Sequence, residues 1–107
     1  MNRIEQLRQF LKEDPGDAFV KYALSLEYAQ EGKVEEAGKI LLELTIKNPP
    51  YLPAFYQYGK LLEASGDLES ASTIYSKGME IAKSERKQKT YSELKEARDQ
   101  VLGTDEE

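Results

Sequence analysis

The 107-residue sequence contains no cysteine and no histidine. Without cysteine there is neither a disulfide nor a thiolate nucleophile. Because histidine is missing as well, a zinc site made of cysteine and histidine ligands is also excluded. The lack of histidine also removes the side chain most often used as a general base near neutral pH. These absences exclude most familiar catalytic centres, so we expect a protein that is not an enzyme and that uses no metal or cofactor.

Long apolar runs are also missing from the sequence. The first fourteen residues carry charges throughout and lack the apolar stretch of a signal peptide. No later run approaches the roughly 18 apolar residues that a membrane-spanning helix needs. We therefore expect a cytoplasmic protein without a membrane partner.

A surplus of positive charge is the third absence. The chain has 15 Lys and Arg against 20 Asp and Glu, which gives a formal net charge of −5. Affinity for a phosphate backbone comes largely from Lys and Arg that displace counterions. A nucleic-acid partner is therefore not expected. Residues 86–89 form a short basic cluster, but Glu85 and Glu93 flank it and no aromatic side chains alternate with its cations.

The composition is that of a folded domain. It is 39% hydrophobic and 33% charged, which is too apolar for a disordered chain. The length corresponds to a single domain with a modest core.

The sequence repeats itself at an interval of 34 residues. A constant interval of identical residues is the signature of a tandem structural unit. The identical pairs are Leu7/Leu41, Pro15/Pro49, Tyr22/Tyr56, Gly32/Gly66, Glu35/Glu69, Ala37/Ala71 and Ile40/Ile74.

Each unit has the pattern of two helices joined by a tight turn. Apolar residues recur at intervals of three and four on both sides of Gly32 and of Gly66, which predicts helices over 18–30 and 54–64 and second helices that begin at Val34 and Leu68. Glycine suits the left-handed residue that ends a helix. Ala37 and Ala71 provide the small side chains that two closely crossing helices require.

Two further segments flank the repeats. Ile4, Leu7, Phe10 and Leu11 predict an amphipathic N-terminal helix that forms a half-repeat. Thr90 and Glu93 have the spacing of a capping box, which predicts a C-terminal capping helix with Tyr91, Leu94, Ala97 and Val101 on one face. We thus divide a single domain, 1–102, into a half-repeat (1–14), repeat 1 (17–50), repeat 2 (51–84) and a capping helix (90–102). Residues 84–89 are interpreted as a linker or frayed helix end, and 103–107 as a mobile acidic tail.

The repeat resembles the tetratricopeptide repeat, a helix-turn-helix unit of 34 residues. The second unit matches at Phe55, Tyr58, Gly59, Leu62, Gly66, Ala71, Tyr75 and Gly78, and the first at Leu24, Ser25, Tyr28, Gly32, Ala37, Leu41 and Pro49. The first unit departs at Lys21, where the family often has a large apolar residue, and we expect Phe19 or Val20 to fill that space. The second has Lys83 in place of the closing proline, so its second helix could extend to Ser84 or beyond. The resemblance implies an all-α fold, a right-handed α-solenoid of antiparallel helical hairpins with about six helices.

The resemblance also implies a function. Proteins of this family typically bind peptides or partner helices in a concave groove lined by the first helix of each unit. The corresponding positions are Phe19, Tyr22, Leu26 and Ala29 in the first unit and Pro53, Tyr56, Lys60 and Glu63 in the second. We therefore predict a non-catalytic interaction module, an adaptor or scaffold, that binds a protein or peptide in an apolar, tyrosine-lined groove.

Alternatives remain for the same residues. The terminal helices could cover them, so that the tyrosines serve only intrachain packing, or they could pair with a second copy in a homo-oligomer or structural subunit, although we expect a monomer. RNA binding is a third alternative because related helical-hairpin repeats read RNA. The acidity of the chain argues against RNA.

Overall fold

The computed structural model describes residues 1–103 as six α-helices without a strand, which confirms the predicted all-α helical-repeat class. The helices are α1 (Arg3–Glu13), α2 (Ala18–Gln30), α3 (Val34–Ile46), α4 (Pro53–Ala64), α5 (Leu68–Ser84) and α6 (Gln88–Leu102). Within this part of the chain no helix is both long enough and apolar enough to cross a membrane. Residues 104–107 of the predicted acidic tail lie outside the described residues.

The chain divides into two compact units, Met1–Tyr51 and Leu52–Glu107. Unit 1 contains α1 to α3, and unit 2 contains α4 to α6. In both units consecutive helices pack on each other, α1 on α2 and α2 on α3 in the first, α4 on α5 and α5 on α6 in the second. Each unit is therefore a hairpin of the repeat with one additional helix.

The two hairpin turns have the geometry that the glycines predict. Gly32 and Gly66 have φ angles of +79° and +87°, in the left-handed region where a side chain is disfavoured. After Gly32, the Lys33 amide donates to the Tyr28 carbonyl at 2.9 Å. The Asp67 amide closes the second turn in the same way on the Leu62 carbonyl, also at 2.9 Å. Both bonds satisfy carbonyl groups that the helix end leaves without a partner.

The third turn, between α5 and α6, differs from its prediction. Helix α5 continues to Ser84, which the missing proline allows, and α6 begins at Gln88 rather than at Thr90. The predicted capping box of Thr90 and Glu93 is therefore wrong, since Thr90 lies inside the first turn of α6 and the residue before the helix, Lys87, makes no side-chain cap. A turn without glycine was not recognisable in the sequence.

The core of unit 1 is small and aliphatic. Ile4, Leu7 and Leu24 are buried, and Leu11 and Val20 pack against them. Phe10, which was predicted on the same face of α1, is instead 53% exposed. At 100° per residue Phe10 lies about 90° from the centre of the stripe formed by the other three α1 residues, so it does not face α2.

The departure at Lys21 is resolved by two neighbouring contacts. Val20 packs on the core cluster, whereas Phe19 is 65% exposed, so Val20 alone fills the space suggested for either of them. The Lys21 ammonium lies 3.0 Å from a carboxylate oxygen of Glu43 on α3. An ion pair between α2 and α3 thus lies where the family often has an apolar contact.

The core of unit 2 contains larger side chains packed against glycine. A Cβ atom added to Gly59 would lie 2.1 Å from Cε1 of Tyr75, and one added to Gly78 would lie 2.8 Å from Cβ of Phe55. These two glycines therefore allow α4, α5 and α6 to approach closely around two buried rings. The fully buried side chains include Phe55, Ala71, Tyr75 and Leu94.

Candidate functional site

The exposed side of α4 carries an ordered group of polar and aromatic side chains. Tyr56, Lys60 and Glu63 are spaced by four and three residues and so share one side of the helix. The Lys60 ammonium lies 5.4 Å from the centre of the Tyr56 ring and 3.8 Å from a Glu63 carboxylate oxygen. At these distances the ring and the carboxylate both attract the cation. Their combined effect fixes the orientation of Lys60.

A buried tyrosine on α5, Tyr75, contacts this group. The Tyr75 hydroxyl donates a hydrogen bond to the Glu63 carboxylate, and the Tyr75 and Tyr56 ring centres are 6.2 Å apart. Burial raises the pKa of Tyr75 well above its ordinary value, and the hydrogen bond to the Glu63 carboxylate raises it further. Tyr75 is therefore neutral at physiological pH and remains a hydrogen-bond donor to Glu63.

Helix α6 forms the opposite wall of an open cleft of about 340 Å³ beside α4. The cleft is lined by Tyr56 and Lys60 from α4 and by Glu93, Glu96, Ala97 and Gln100 from α6. Two predicted groove residues are thus brought together with four that sequence reasoning missed. The apolar stripe of α6 contained the missing signal, because Glu93, Glu96 and Gln100 flank the buried Leu94 and Ala97.

The remaining predicted residues of unit 2 lie at the borders of this site. Pro53 is exposed at the first position of α4, where its fixed φ suits the start of a helix. Glu63 is half-buried and holds Lys60 and Tyr75 rather than lining the cleft. Neither residue lines the cleft, whose α4 wall consists of Tyr56 and Lys60.

The predicted residues of unit 1 share one side of α2. Phe19 and Ala29 are exposed, whereas Tyr22 and Leu26 are partly buried. The Tyr22 ring is tilted by 56° against the ring of Tyr51, with the two centres 5.6 Å apart. Tyr51 was not among the predicted residues, because it lies outside any helix and has no periodic signal.

Both repeated tyrosines thus combine a packing role with partial exposure. Tyr22 contacts Tyr51 and Tyr56 contacts Tyr75, so these intrachain contacts come from a loop residue and from α5 rather than from a terminal helix. Each tyrosine nevertheless keeps an accessible surface on the side of its helix where Phe19 or Lys60 also lies. Both rings therefore have intrachain contacts and are partly exposed.

Comparison with known proteins establishes the family. No protein-family profile matches the sequence, and no curated protein matches it. Among solved structures, the solution structure of a tetratricopeptide repeat domain protein from Salinibacter ruber has a TM-score of 0.80 and 33% sequence identity, and the match covers 88% of this chain and 95% of that one. The crystal structure of the tetratricopeptide repeat domain protein from that organism gives 0.76 and 33%, over 81% and 97% of the two chains. The chain belongs to the tetratricopeptide repeat family.

A more distant structure shares the fold. The solution structure of a protein from Bordetella parapertussis has a TM-score of 0.81 with 23% identity, and the match covers 98% of this chain and 91% of that one. At this identity the likeness concerns the fold alone. It shows that the backbone arrangement is kept while most side chains differ.

Proposed function

We propose that the protein is a non-catalytic cytoplasmic adaptor that binds a peptide or helix of a partner protein in the cleft beside α4 in unit 2, with the exposed side of α2 in unit 1 as a separate contact surface. The family provides a helical repeat module that is commonly used for protein interaction. The observation that carries the proposal is the open cleft beside α4, where the aromatic ring of Tyr56 and the cation of Lys60 face α6. An open cleft with an aromatic wall and several polar groups is typical of a recognition site.

Preorganisation supports binding at this cleft. Tyr56 packs on the buried Tyr75, and Lys60 is held between the Tyr56 ring and Glu63. Side chains that are ordered before binding lose less conformational entropy when a partner docks. The hydrogen bond from Tyr75 to Glu63 therefore contributes to recognition without contacting the partner.

The exposed side of α2 contributes an apolar contact. Phe19 is 65% exposed although it lies in the first turn of a helix whose other face is buried. Aromatic residues dominate the energetics of protein interfaces because they bury a large area with few rotatable bonds. Phe19 is the residue of unit 1 that we expect to anchor a partner.

The charges of the cleft indicate the chemistry of the partner. Lys60 already has Glu63 as its counterion, whereas neither Glu93 nor Glu96 forms an ion pair within residues 1–103. A partner segment with a Lys or Arg next to an apolar residue would complement two carboxylates beside the Tyr56 ring. We therefore expect a basic, partly apolar peptide.

Selection from a phage-displayed library of random peptides tests this function. Peptides that bind the wild type should bind Glu96→Lys about tenfold more weakly, because a cation then replaces one of the two unpaired carboxylates. Glu80→Lys is the matched control, since Glu80 is exposed on α5 outside the cleft and its substitution changes the net charge equally. Equal losses in both variants, or a library that yields no binders, would contradict the proposal.

Self-association is a second candidate because α3 has an exposed apolar stripe. Val34, Leu42 and Ile46 lie on one line of the helix at intervals of four residues, with Gly38 between the first two, and Ile46 is 72% exposed. Sedimentation equilibrium over a range of concentrations tests it. A dimer that Ile46→Lys converts to a monomer would place function in an assembly of copies rather than in an adaptor.

A further inference from the structure

A second concavity lies at the turn between α5 and α6. Its volume is about 600 Å³, which is within the range of small-molecule and peptide pockets. It is lined by Ala82, Lys83, Arg86, Lys87, Gln88 and Tyr91, so it presents three cations and an aromatic ring but no carboxylate. The two concavities share no lining residue. At 100° per residue, the mean direction of Gln88 and Tyr91 on α6 lies about 140° from that of Glu93 and Glu96, so this concavity is distinct from the α4 cleft.

The cations around this concavity have no counterions in the described part of the chain. Within residues 1–103, Lys83, Arg86 and Lys87 form no ion pair. Other lysines do form ion pairs, namely Lys21, Lys33, Lys60 and Lys95. Residues 83–89 carry four cations and one carboxylate in a chain whose net charge is −5. The concavity is therefore a concentrated positive site on an otherwise acidic protein.

Arg86 occupies a backbone conformation that favours glycine. Its φ is +59°, and it is the one residue other than glycine with a positive φ among the described residues. The turn has the same hydrogen bonding as the two hairpin turns, with the Lys87 amide donating to the Ala82 carbonyl at 2.8 Å. Gly32 and Gly66 hold the equivalent position in those turns.

The arginine at this position is therefore not explained by folding. An L-residue in the left-handed region is less stable than glycine, so the turn would form more readily with glycine at position 86. Residues that keep an unfavourable backbone conformation are often found at functional sites, where the side chain has a role. Here the side chain adds a guanidinium to the wall of the concavity, beside Lys83 and Lys87.

We propose that this concavity binds an acidic peptide segment of a partner protein. Carboxylates of the segment would pair with Arg86, Lys83 and Lys87, since a guanidinium donates two parallel hydrogen bonds to a carboxylate. An apolar side chain of the same segment would lie against the partly exposed ring of Tyr91. The site goes beyond the α4 cleft, which has the opposite charge and lies on the other side of α6.

The surrounding charge favours a short peptide over other anions. Outside residues 83–89, which have a net charge of +3, the chain has a net charge of −8, so a nucleic acid extending beyond the concavity would meet repulsion. A lone inorganic anion would leave most of the 600 Å³ and its aromatic wall unused. A segment of a few residues with both carboxylates and an apolar side chain uses the whole surface.

Isothermal titration calorimetry with a blocked Glu-Asp-Phe-Asp-Glu peptide tests the proposal, and the blocked Gln-Asn-Phe-Asn-Gln peptide is its uncharged counterpart. We expect saturable binding of the acidic peptide and at least about fivefold weaker binding by Arg86→Gly. The same variant should melt at a higher temperature than the wild type because glycine relieves the turn. Lys77→Gln, which removes one charge from α5 outside the concavity, should change neither quantity.

Several outcomes would overturn the proposal. It fails if Arg86→Gly binds the acidic peptide as tightly as the wild type, if the uncharged peptide binds equally well, or if neither peptide binds. Displacement of the peptide by an equal concentration of inorganic phosphate would indicate a general anion site instead. Binding of a single-stranded oligonucleotide in preference to the peptide would indicate nucleic acid. Peptides selected for the α4 cleft should bind Arg86→Gly unchanged, so the two proposals can fail separately.

Discussion

The two units differ in the residues at which the helices of the repeat cross. Unit 1 has Ser25 on α2 and Leu41 on α3. At the equivalent positions, 34 residues later, unit 2 has Gly59 on α4 and Tyr75 on α5. All four residues are buried. Gly59 has no room for a Cβ atom because the Tyr75 ring occupies that space. With the smaller Leu41, unit 1 accommodates a serine, whose hydroxyl donates to the Tyr22 carbonyl at 2.6 Å. A larger residue on one helix is thus accompanied by a smaller residue on the helix that crosses it.

The same exchange changes the surface of the two units. In unit 2 the Tyr75 hydroxyl reaches Glu63, which in turn holds Lys60. The equivalent residues of unit 1 are aliphatic, with Leu26 and Ala29 at the positions of Lys60 and Glu63. Unit 1 therefore presents an apolar side of its first helix, and unit 2 presents a charged and ordered one.

The largest effect is expected where the two crossings differ most. Gly59→Ala should lower the free energy of unfolding by about 2 to 3 kcal/mol, because the added methyl group cannot share the space of the Tyr75 ring. Urea denaturation followed by circular dichroism measures it. Ser25→Ala, at the equivalent position of unit 1, should cost about 1 kcal/mol or less because it removes only a hydroxyl group.

A double substitution tests whether Gly59 and Tyr75 are matched to each other. Gly59→Ser combined with Tyr75→Leu gives unit 2 the residue pair of unit 1, so it should be more stable than Gly59→Ser alone. Residues in contact show such coupling in double-mutant cycles. Additive losses in the cycle would show that the two positions are not matched to each other.

The two alanines should respond alike in both units. Ala37 and Ala71 are fully buried, so Ala37→Leu and Ala71→Leu should each cost roughly 1 to 3 kcal/mol by overpacking the crossing. Melting temperatures of the two variants provide the measurement. A near-neutral effect at both positions would contradict the assigned register of the repeat.

The hairpin glycines are expected to have a smaller effect. Gly32→Ala and Gly66→Ala should each cost about 1 kcal/mol, since an L-residue is disfavoured at positive φ. No neighbouring atom lies within 4 Å of an added Cβ at either position, so the cost is conformational alone and should be equal in the two units. Unequal losses in chemical denaturation would indicate contacts that the structure does not contain.

The smallest effect concerns the Tyr75 hydroxyl. Tyr75→Phe should cost only about 0.5 kcal/mol at neutral pH, because Glu63 is partly exposed and water can replace the lost donor.

The pH dependence follows from the raised pKa of Tyr75. Above about pH 10 the unfolded chain loses the tyrosine proton while the folded chain keeps it, so stability falls as pH rises. The wild type should therefore lose more stability between about pH 9 and 11 than Tyr75→Phe does. Parallel pH profiles of the two proteins would contradict the buried, neutral state of Tyr75.

The sequence was sufficient for the features that a period or a special residue marks. Gly32 and Gly66 identified the hairpin turns, Ala37 and Ala71 the close crossings, and the three-and-four spacing the buried faces. Features without such a mark were missed. The turn at Arg86 has the geometry of a glycine turn but not the glycine.

The candidate site was predictable only in part. The resemblance to the tetratricopeptide repeat pointed to Tyr56 and Lys60 as groove residues, and both line the α4 wall of the cleft. The repeat pattern could not predict Glu96 or Gln100. Helix α5 is longer than the repeat unit predicts, so the residues of α6 do not keep the 34-residue interval. The contact of Tyr22 with Tyr51 involves a residue outside any helix, which periodicity does not describe.

Photo-crosslinking tests directly whether partner proteins contact the cleft beside α4 in unit 2 and, separately, the exposed side of α2 in unit 1. Benzoylphenylalanine would replace Phe19 in unit 1 or Gln100 in the cleft of unit 2, with Lys77 on α5 as the control position. We predict that a partner protein from the cell lysate is crosslinked from position 100, that position 19 also gives an adduct, and that position 77 gives none. Glu96→Lys should abolish the adduct at position 100. Equal adducts from position 77, or adducts only between copies of this chain, would contradict the proposed function.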